Sequence, residues 1–267
     1  MRETITRTLS GLVYIIVLTA AIFYSPFTFL LLFGIFLIIA VTEFCGLQHF
    51  NIALPIFIAA AAYILFVAFP TTFITSILLT AAALFVSVRC MIFLFGNHGQ
   101  NADTSYKYVL LVGYIIIPFI LLTKIPYTET GYRPEILVSL LILFWANDTF
   151  AFVFGKTMGR HKLFERISPK KTIEGFVGGL VFSVVAGSVI ALYYVHQPVY
   201  IWIITALIVS FIGTIGDLVE SKFKRVAMVK DSGKIMPGHG GILDRLDSVI
   251  FASPFVFLFF QIINYVS

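Results

Sequence analysis

The chain has 267 residues, 60% of them hydrophobic and 12% charged, with a mean hydropathy of +1.01. A soluble globular domain carries about 25% charged residues, so the composition excludes an ordinary water-soluble enzyme and predicts an integral membrane protein built as one bundle. The net charge of +5 is modest; the placement of the basic residues says more than their sum.

A membrane-spanning helix needs about 20 mainly apolar residues. Nine spans are predicted on that rule, in chain order 8–24, 27–45, 52–69, 72–95, 108–123, 135–154, 174–195, 199–220 and 244–265. Arg2 and Arg7 before the first apolar run imitate a secretory signal. More hydrophobic spans follow at once without a small-residue cleavage site, so the first helix is expected to be retained. Ser25-Pro26, Pro70-Thr71 and Gln197-Pro198 mark very short turns between paired helices. Cys45 and Cys90 lack metal-ligand spacing and read as packed thiols near helix ends. His49, His98, His161 and His196 have no partner spacing and read as interfacial residues at predicted helix ends.

Lys and Arg favour the cytoplasmic side of a membrane. With the N-terminus inside, sixteen of the 18 basic residues fall on the inner side, leaving Lys124 and Arg133 outside. The expected fold is therefore an all-α polytopic bundle of about nine transmembrane helices, N-terminus cytoplasmic and C-terminus outside. Residues 1–134 read as amino-terminal scaffold helices, lipid-facing and nearly featureless apart from Glu43 and Arg89. Residues 135–267 read as a carboxy-terminal catalytic region with cytoplasmic loops 155–173 and 221–243, in one continuous membrane unit.

Polarity concentrates in that second region. Ionisable groups at membrane depth are costly and carry a functional hypothesis by default. Asp217, Glu220, Ser221, Lys224 and Arg225 stand three or four apart, sharing a face if the helix continues past 220. Asp244 and Asp247 stand at i, i+3 at the start of the last helix, where acids also favour the helix dipole. Three aspartates continuing into apolar helices suit Mg²⁺, which one or two carboxylates plus substrate phosphates commonly hold; a salt-bridge network is the alternative. The turn Pro237-Gly238-His239-Gly240-Gly241 can bring backbone N–H groups to an anion. His239 reads as a phosphate donor, a general acid or a turn residue. Lys224 and Arg225 are candidates for phosphate contacts, whereas Lys222 and Lys234 read as positive-inside charges. Ser168-Pro169-Lys170-Lys171-Thr172 suits either a helix cap or a polyanion. Asp148 beside Asn147 either lines a cavity or pairs with a base.

Ser221-x-x-Lys224-Arg225, then Lys230-Asp231, then Pro237-Gly238-His239-Gly240-Gly241-x-x-Asp244-Arg245-x-Asp247 resembles the signature of phosphatidate cytidylyltransferases, the CDP-diacylglycerol synthases. Ser168-Pro169-Lys170-Lys171-Thr172-x-Glu174-Gly175 and Gly216-Asp217-x-x-Glu220 extend the likeness over roughly 145–250. The resemblance implies condensation of CTP with phosphatidic acid to CDP-diacylglycerol and pyrophosphate, with Mg²⁺ required and room for a second ion. It implies a metal-bearing centre at Asp217, Asp244 and Asp247, with Ser221 and Lys224 contacting substrate. Ser168, Lys170, Lys171, Arg225, Lys230, His239, Gly240, Gly241 and Arg245 are the expected substrate-binding residues. A homodimer in a bacterial inner membrane, its active site facing the cytoplasm, is also implied; no nucleic-acid partner is expected. The rival readings are another membrane lipid phosphotransferase and, in a different class, a cation-coupled transporter. The Asp-x-x-Asp-Gly run of CDP-alcohol phosphotransferases is absent, and polarity confined to one half gives no hint of the inverted repeats of transporters.

Overall fold

The computed structural model describes residues 2–69, 71–96, 103–236, 238 and 240–266, the side chains of 2–8 and 264–266 excepted. The described residues form α1 (Arg2–Tyr24), α2 (Pro26–Gln48), α3 (Ala53–Ala68), α4 (Phe73–Phe95) and α5 (Thr104–Lys124). The hairpin β1–β2 (Tyr127–Thr128, Gly131–Tyr132) follows, and then α6 (Pro134–Thr157). A second hairpin, β3–β4 (Lys162–Phe164, Ser168–Thr172), leads into α7 (Ile173–Tyr193), α8 (Val199–Val226) and α9 (Leu243–Val266).

Seven of these helices are long and apolar enough to cross a membrane, and Leu9–Tyr24 and Ala53–Ala68 are shorter apolar helices. Their outward faces carry large exposed apolar side chains, such as Phe57, Leu78, Phe85 and Val185. That pattern suits lipid rather than water. Caps set the boundaries: the Ser25 hydroxyl accepts from Thr28 N–H at 3.1 Å, with Pro26 in the first turn, and Thr72 accepts from Thr75 N–H at 3.2 Å. Both are ordinary helix starts.

Two predicted boundaries are corrected. The helix predicted over 199–220 continues to Val226, because Glu220 and Lys224 pair one turn apart and residues 221–223 are buried. The cytoplasmic loop predicted over 155–173 is largely the β3–β4 hairpin, with Lys162 opposite Thr172 and Phe164 opposite Ser168.

The ends of the helices are tied across the bundle. Tyr132 Oη donates to the Ile22 carbonyl at 2.8 Å, and Lys124 Nζ donates to Thr71 Oγ1 at 2.9 Å. The ends of α1 and α5 and the approach to α4 therefore share one face. Helix α6 lies so close to α7 that a Cβ on Gly175 would stand 2.6 Å from the Ala151 carbonyl, the close backbone approach that small residues allow between membrane helices. Helices α6, α7, α8 and α9 thus form one tightly packed group, and the polar residues line its interior.

Candidate active site

The group α6–α9 encloses, together with the hairpin β3–β4 and one face of α1, a cavity of about 910 Å³. That is within the usual range for a small-molecule site, roughly 300–1,000 Å³. Five aspartates line it, Asp148, Asp217, Asp231, Asp244 and Asp247. Lys156, Lys162, Lys170, Lys171, Lys224 and Arg245 oppose them. One wall is apolar, built by Ile15, Phe144, Trp145, Phe152 and Phe176.

Hairpin β3–β4 delivers the lysines. Thr172 ends β4 and caps α7, its hydroxyl accepting from Gly175 N–H at 3.1 Å. Glu174 accepts from the backbone of Arg160 and His161 and lies 2.6 Å from His161 Nδ1. His161, read from sequence as an interfacial residue without partner spacing, meets Glu174 because the hairpin brings them together. Lys162 Nζ donates to the Pro169 carbonyl across the hairpin at 2.7 Å. So braced, β4 presents Lys171 to Asp217, with Nζ 2.5 Å from Oδ2. Ser221, one turn along α8, donates to Asp217 Oδ1 at 3.2 Å.

Asp247 faces the same space from α9. Its Oδ1 accepts from Ser248 N–H at 2.6 Å, and it lines the same cavity as Asp217. Asp148, on α6, lines that cavity too. Asn147 Nδ2 donates weakly to Asp148 at 3.4 Å, while the buried Asn147 Oδ1 has no hydrogen-bond partner. Three acids from three helices therefore converge on one cavity, with only part of their accepting capacity used.

Asp244 is arranged differently. Its Oδ1 holds Lys224 Nζ at 2.6 Å, and its Oδ2 accepts from Gly241 N–H at 2.7 Å and from the backbone and hydroxyl of Ser232, both at 2.9 Å. Lys224 also contacts the buried Glu220. Gly240 has φ +84°, and a Cβ there would run into Asp244. Ser232, Gly240 and Gly241 thereby gather around one carboxylate.

Beside it stands Glu43 of α2, buried at 7% exposure. It accepts from Ile242 N–H at 3.1 Å, from Leu243 N–H at 2.8 Å and from the Ser232 hydroxyl at 3.3 Å. Gly233 and Gly241 press against its carboxylate, where a Cβ would collide. Glu43 thus caps α9 in trans, satisfying amides that a helix N-terminus leaves free. Glu43, one of the two exceptions within the scaffold helices, thus ties α2 to the start of α9. The available signal was an acid inside an apolar span.

Lys222 corrects its sequence reading. It is buried at 6% exposure rather than a surface charge. Its ammonium donates to the carbonyls of Phe93 and Gly96 at the end of α4 and lies 4.1 Å from the Phe93 ring centroid. A turn of about 100° per residue separates it from Ser221, and α4 occupies that direction. Arg166 of the hairpin donates to the same Gly96 carbonyl at 2.9 Å, so α4 braces both α8 and β3–β4.

Of the other candidates, Asp217, Lys224, Asp244, Asp247, Lys170, Lys171 and Arg245 all line the cavity. Ser221 lies behind Asp217, and Gly240 and Gly241 lie behind Asp244. Ser168 is the first residue of β4, paired with Phe164. Arg225 is exposed and donates to the Val229 carbonyl at 3.2 Å, and Lys230 is exposed; neither lines the cavity. His239 and His98 lie outside the described residues.

No three Asp, Glu, His or Cys side chains among the described residues are grouped to enclose an ion unaided. Mg²⁺ commonly rests on one or two carboxylates and completes its shell with water and substrate phosphate. Asp247 fits that role by position, with Oδ1 alone engaged by a described donor, and Asp217 by position, its oxygens holding Ser221 and the partly exposed Lys171, with Asp148 nearby. Asp244 spends both oxygens on protein donors.

A model of the cytidylyltransferase family matches residues 5–263. A Staphylococcus haemolyticus protein named phosphatidate cytidylyltransferase is 51% identical over 121 residues, 45% of this chain and 46% of that one. One of the same name from Staphylococcus aureus is 48% identical over 148 residues, 55% of each chain. A third, from Staphylococcus saprophyticus, is 41% identical over 177 residues, 57% of this chain and 68% of its own. The chain spans about half the length of the first two relatives.

Proposed function

The chain belongs to the cytidylyltransferase family, and on that premise we propose that it is a phosphatidate cytidylyltransferase, joining CTP to phosphatidic acid. One observation carries the reading: Asp217 and Asp247 share a cavity with Lys170, Lys171 and Arg245, one of whose walls is apolar. Ile15 and Phe152 on that wall are themselves exposed, at 42% and 68%, so a lipid can enter sideways while a nucleotide enters from the water.

The nucleophile is the phosphate monoester of phosphatidic acid, already anionic near neutral pH. Its oxygen forms a bond to the α-phosphorus of CTP, and the bond from that phosphorus to the bridging oxygen of pyrophosphate breaks. No strong base is required, in keeping with a sequence without an obvious Ser-His-Asp arrangement. The difficulty is repulsion between two polyanions, which positioned cations relieve. Lys171 is held by Asp217 until phosphate competes for it, and Lys170 and Arg245 add charge from opposite sides. Asp217 and Asp247 would hold Mg²⁺, which when bound neutralises phosphate charge and aligns the reacting oxygens; a second ion is part of the same proposal.

Purified protein given CTP, phosphatidic acid and Mg²⁺ is expected to release pyrophosphate and to form CDP-diacylglycerol, read by lipid analysis. Ion flux without CTP-dependent pyrophosphate would favour the transporter reading instead.

The proposal includes nine spans, counting the two shorter apolar helices, in a bacterial inner membrane with the cavity facing the cytoplasm. The charge asymmetry of sixteen among 18 basic residues supports that orientation. Met228 is 91% exposed just beyond α8, and the native Cys45 and Cys90 are buried. A Met228→Cys variant is therefore expected to resist impermeant thiol reagents in intact cells and to react after lysis. Labelling from outside would reverse the orientation. A homodimer belongs to the proposal through the family resemblance.

A further inference from the structure

A second crevice, of about 340 Å³, opens at the other end of the bundle. Ile201 in its wall precedes Asp217 by 16 residues on α8, about 24 Å at 1.5 Å per residue. The polar part of its lining is Thr71, Ser76, Lys124, Thr128, Gln197 and Gln261. Phe257, Phe260 and Ile201 form an apolar flank.

Lys124 is half-buried, and its ammonium donates to Thr71 Oγ1 at 2.9 Å. Among the described residues the crevice lining contains no carboxylate, and no acid pairs with Lys124. A cation partly withdrawn from water and left without a counter-charge favours an anion from outside the chain. Hydroxyls and carboxamides around a single lysine are donors suited to phosphate oxygens. The apolar flank continues along α9, where Ile262 is exposed at 53%, a surface for hydrocarbon.

We infer that this crevice binds a phosphate group at the membrane face remote from the catalytic cavity. The group comes either from the headgroup of an anionic lipid or from free phosphate. The site is separate from the cytidylyltransferase reading and stands or falls without it.

The test uses the full chain, delipidated in detergent, with phosphatidylglycerol, phosphatidylcholine and inorganic phosphate as probes. Bound lipid is counted by native mass spectrometry, and the melting temperature is followed alongside. Wild type is expected to retain phosphatidylglycerol over phosphatidylcholine and to melt higher with it, since a ligand of the folded state stabilises it. Lys124→Gln is expected to weaken that binding about tenfold, the loss of one charge-assisted hydrogen bond. Lys124→Arg should retain it. Gln261→Phe, which fills the crevice and leaves the lysine in place, should lose it too and keeps the test open if Lys124→Gln fails to fold. Persistence of the lipid adduct against millimolar inorganic phosphate identifies the lipid headgroup, and displacement identifies the free ion. Equal retention of phosphatidylglycerol by wild type, Lys124→Gln and Gln261→Phe would overturn the site, as would equal retention of phosphatidylcholine by wild type.

Discussion

The α8–α9 pair carries two acidic clusters that differ in how their oxygens are used. Around Asp217, the partners are a hairpin lysine and a serine, and the neighbouring acids Asp148 and Asp247 retain accepting capacity. Around Asp244, every oxygen is engaged by Lys224, Ser232 or Gly241, and Glu43 closes the group from α2. The first cluster is partly exposed, so its lysine is open to competition from an incoming anion. The second is held by backbone amides and by a lysine shared between two acids. The open cluster is the proposed seat of the chemistry, and the closed one holds the amides that begin α9, the helix carrying Asp247.

The largest effect that would sharpen this comparison is on turnover. Asp217→Asn and Asp247→Asn are each expected to lose at least about 100-fold in rate, the scale of removing a positioned electrostatic group. The melting temperature of Asp217→Asn should barely move, because Lys171 and Asp217 are 27% and 34% exposed and such pairs contribute little to stability. Wild-type turnover in both variants at ordinary Mg²⁺ would remove the open cluster from the chemistry.

In the closed cluster the loss should appear first in stability. Lys224→Met leaves Glu220 and Asp244 unpaired, at 0% and 5% exposure, and breaking a buried pair costs about 3–5 kcal/mol. Lys222→Met leaves the carbonyls ending α4 without their cation, a smaller loss of about 1–2 kcal/mol, and turnover per folded molecule should survive. Thermal melting in detergent, paired with turnover at matched folded protein, separates the two lysines. Equal melting losses would erase the distinction between them.

Glu43→Gln is the finest probe. Both Glu43 oxygens accept from amides, whereas Gln offers one acceptor and turns a donor toward the other N–H. The expected cost is about 2 kcal/mol, with turnover reduced less than in Asp247→Asn. Hydrogen exchange should show faster opening at Ile242 and Leu243 alone. Unchanged exchange there would mean that α9 keeps its start without Glu43.

Much of this was legible before any coordinates. Apolar run length announced the helices, and the i, i+3 and i, i+4 spacings correctly grouped Asp217 with Ser221 and Glu220 with Lys224. The residues whose partners could not be read from spacing were those whose partners lie elsewhere in the fold. Glu43 meets Leu243 across 200 residues, Lys222 meets Phe93 across 129, and His161 meets Glu174 only because a hairpin forms. Asp244 and Asp247 look alike at the start of one helix, yet one is saturated and the other is not.

Hydrophobic run length and helical periodicity depend on local geometry, so the chain alone determined that it enters a membrane and which residues share a helical face. Whether a charged side chain is engaged or available depends on what is packed against that face. That was decided only when α2 and α4 closed on α8 and α9, because a buried charge must find its counter-charge or donor wherever packing brings one.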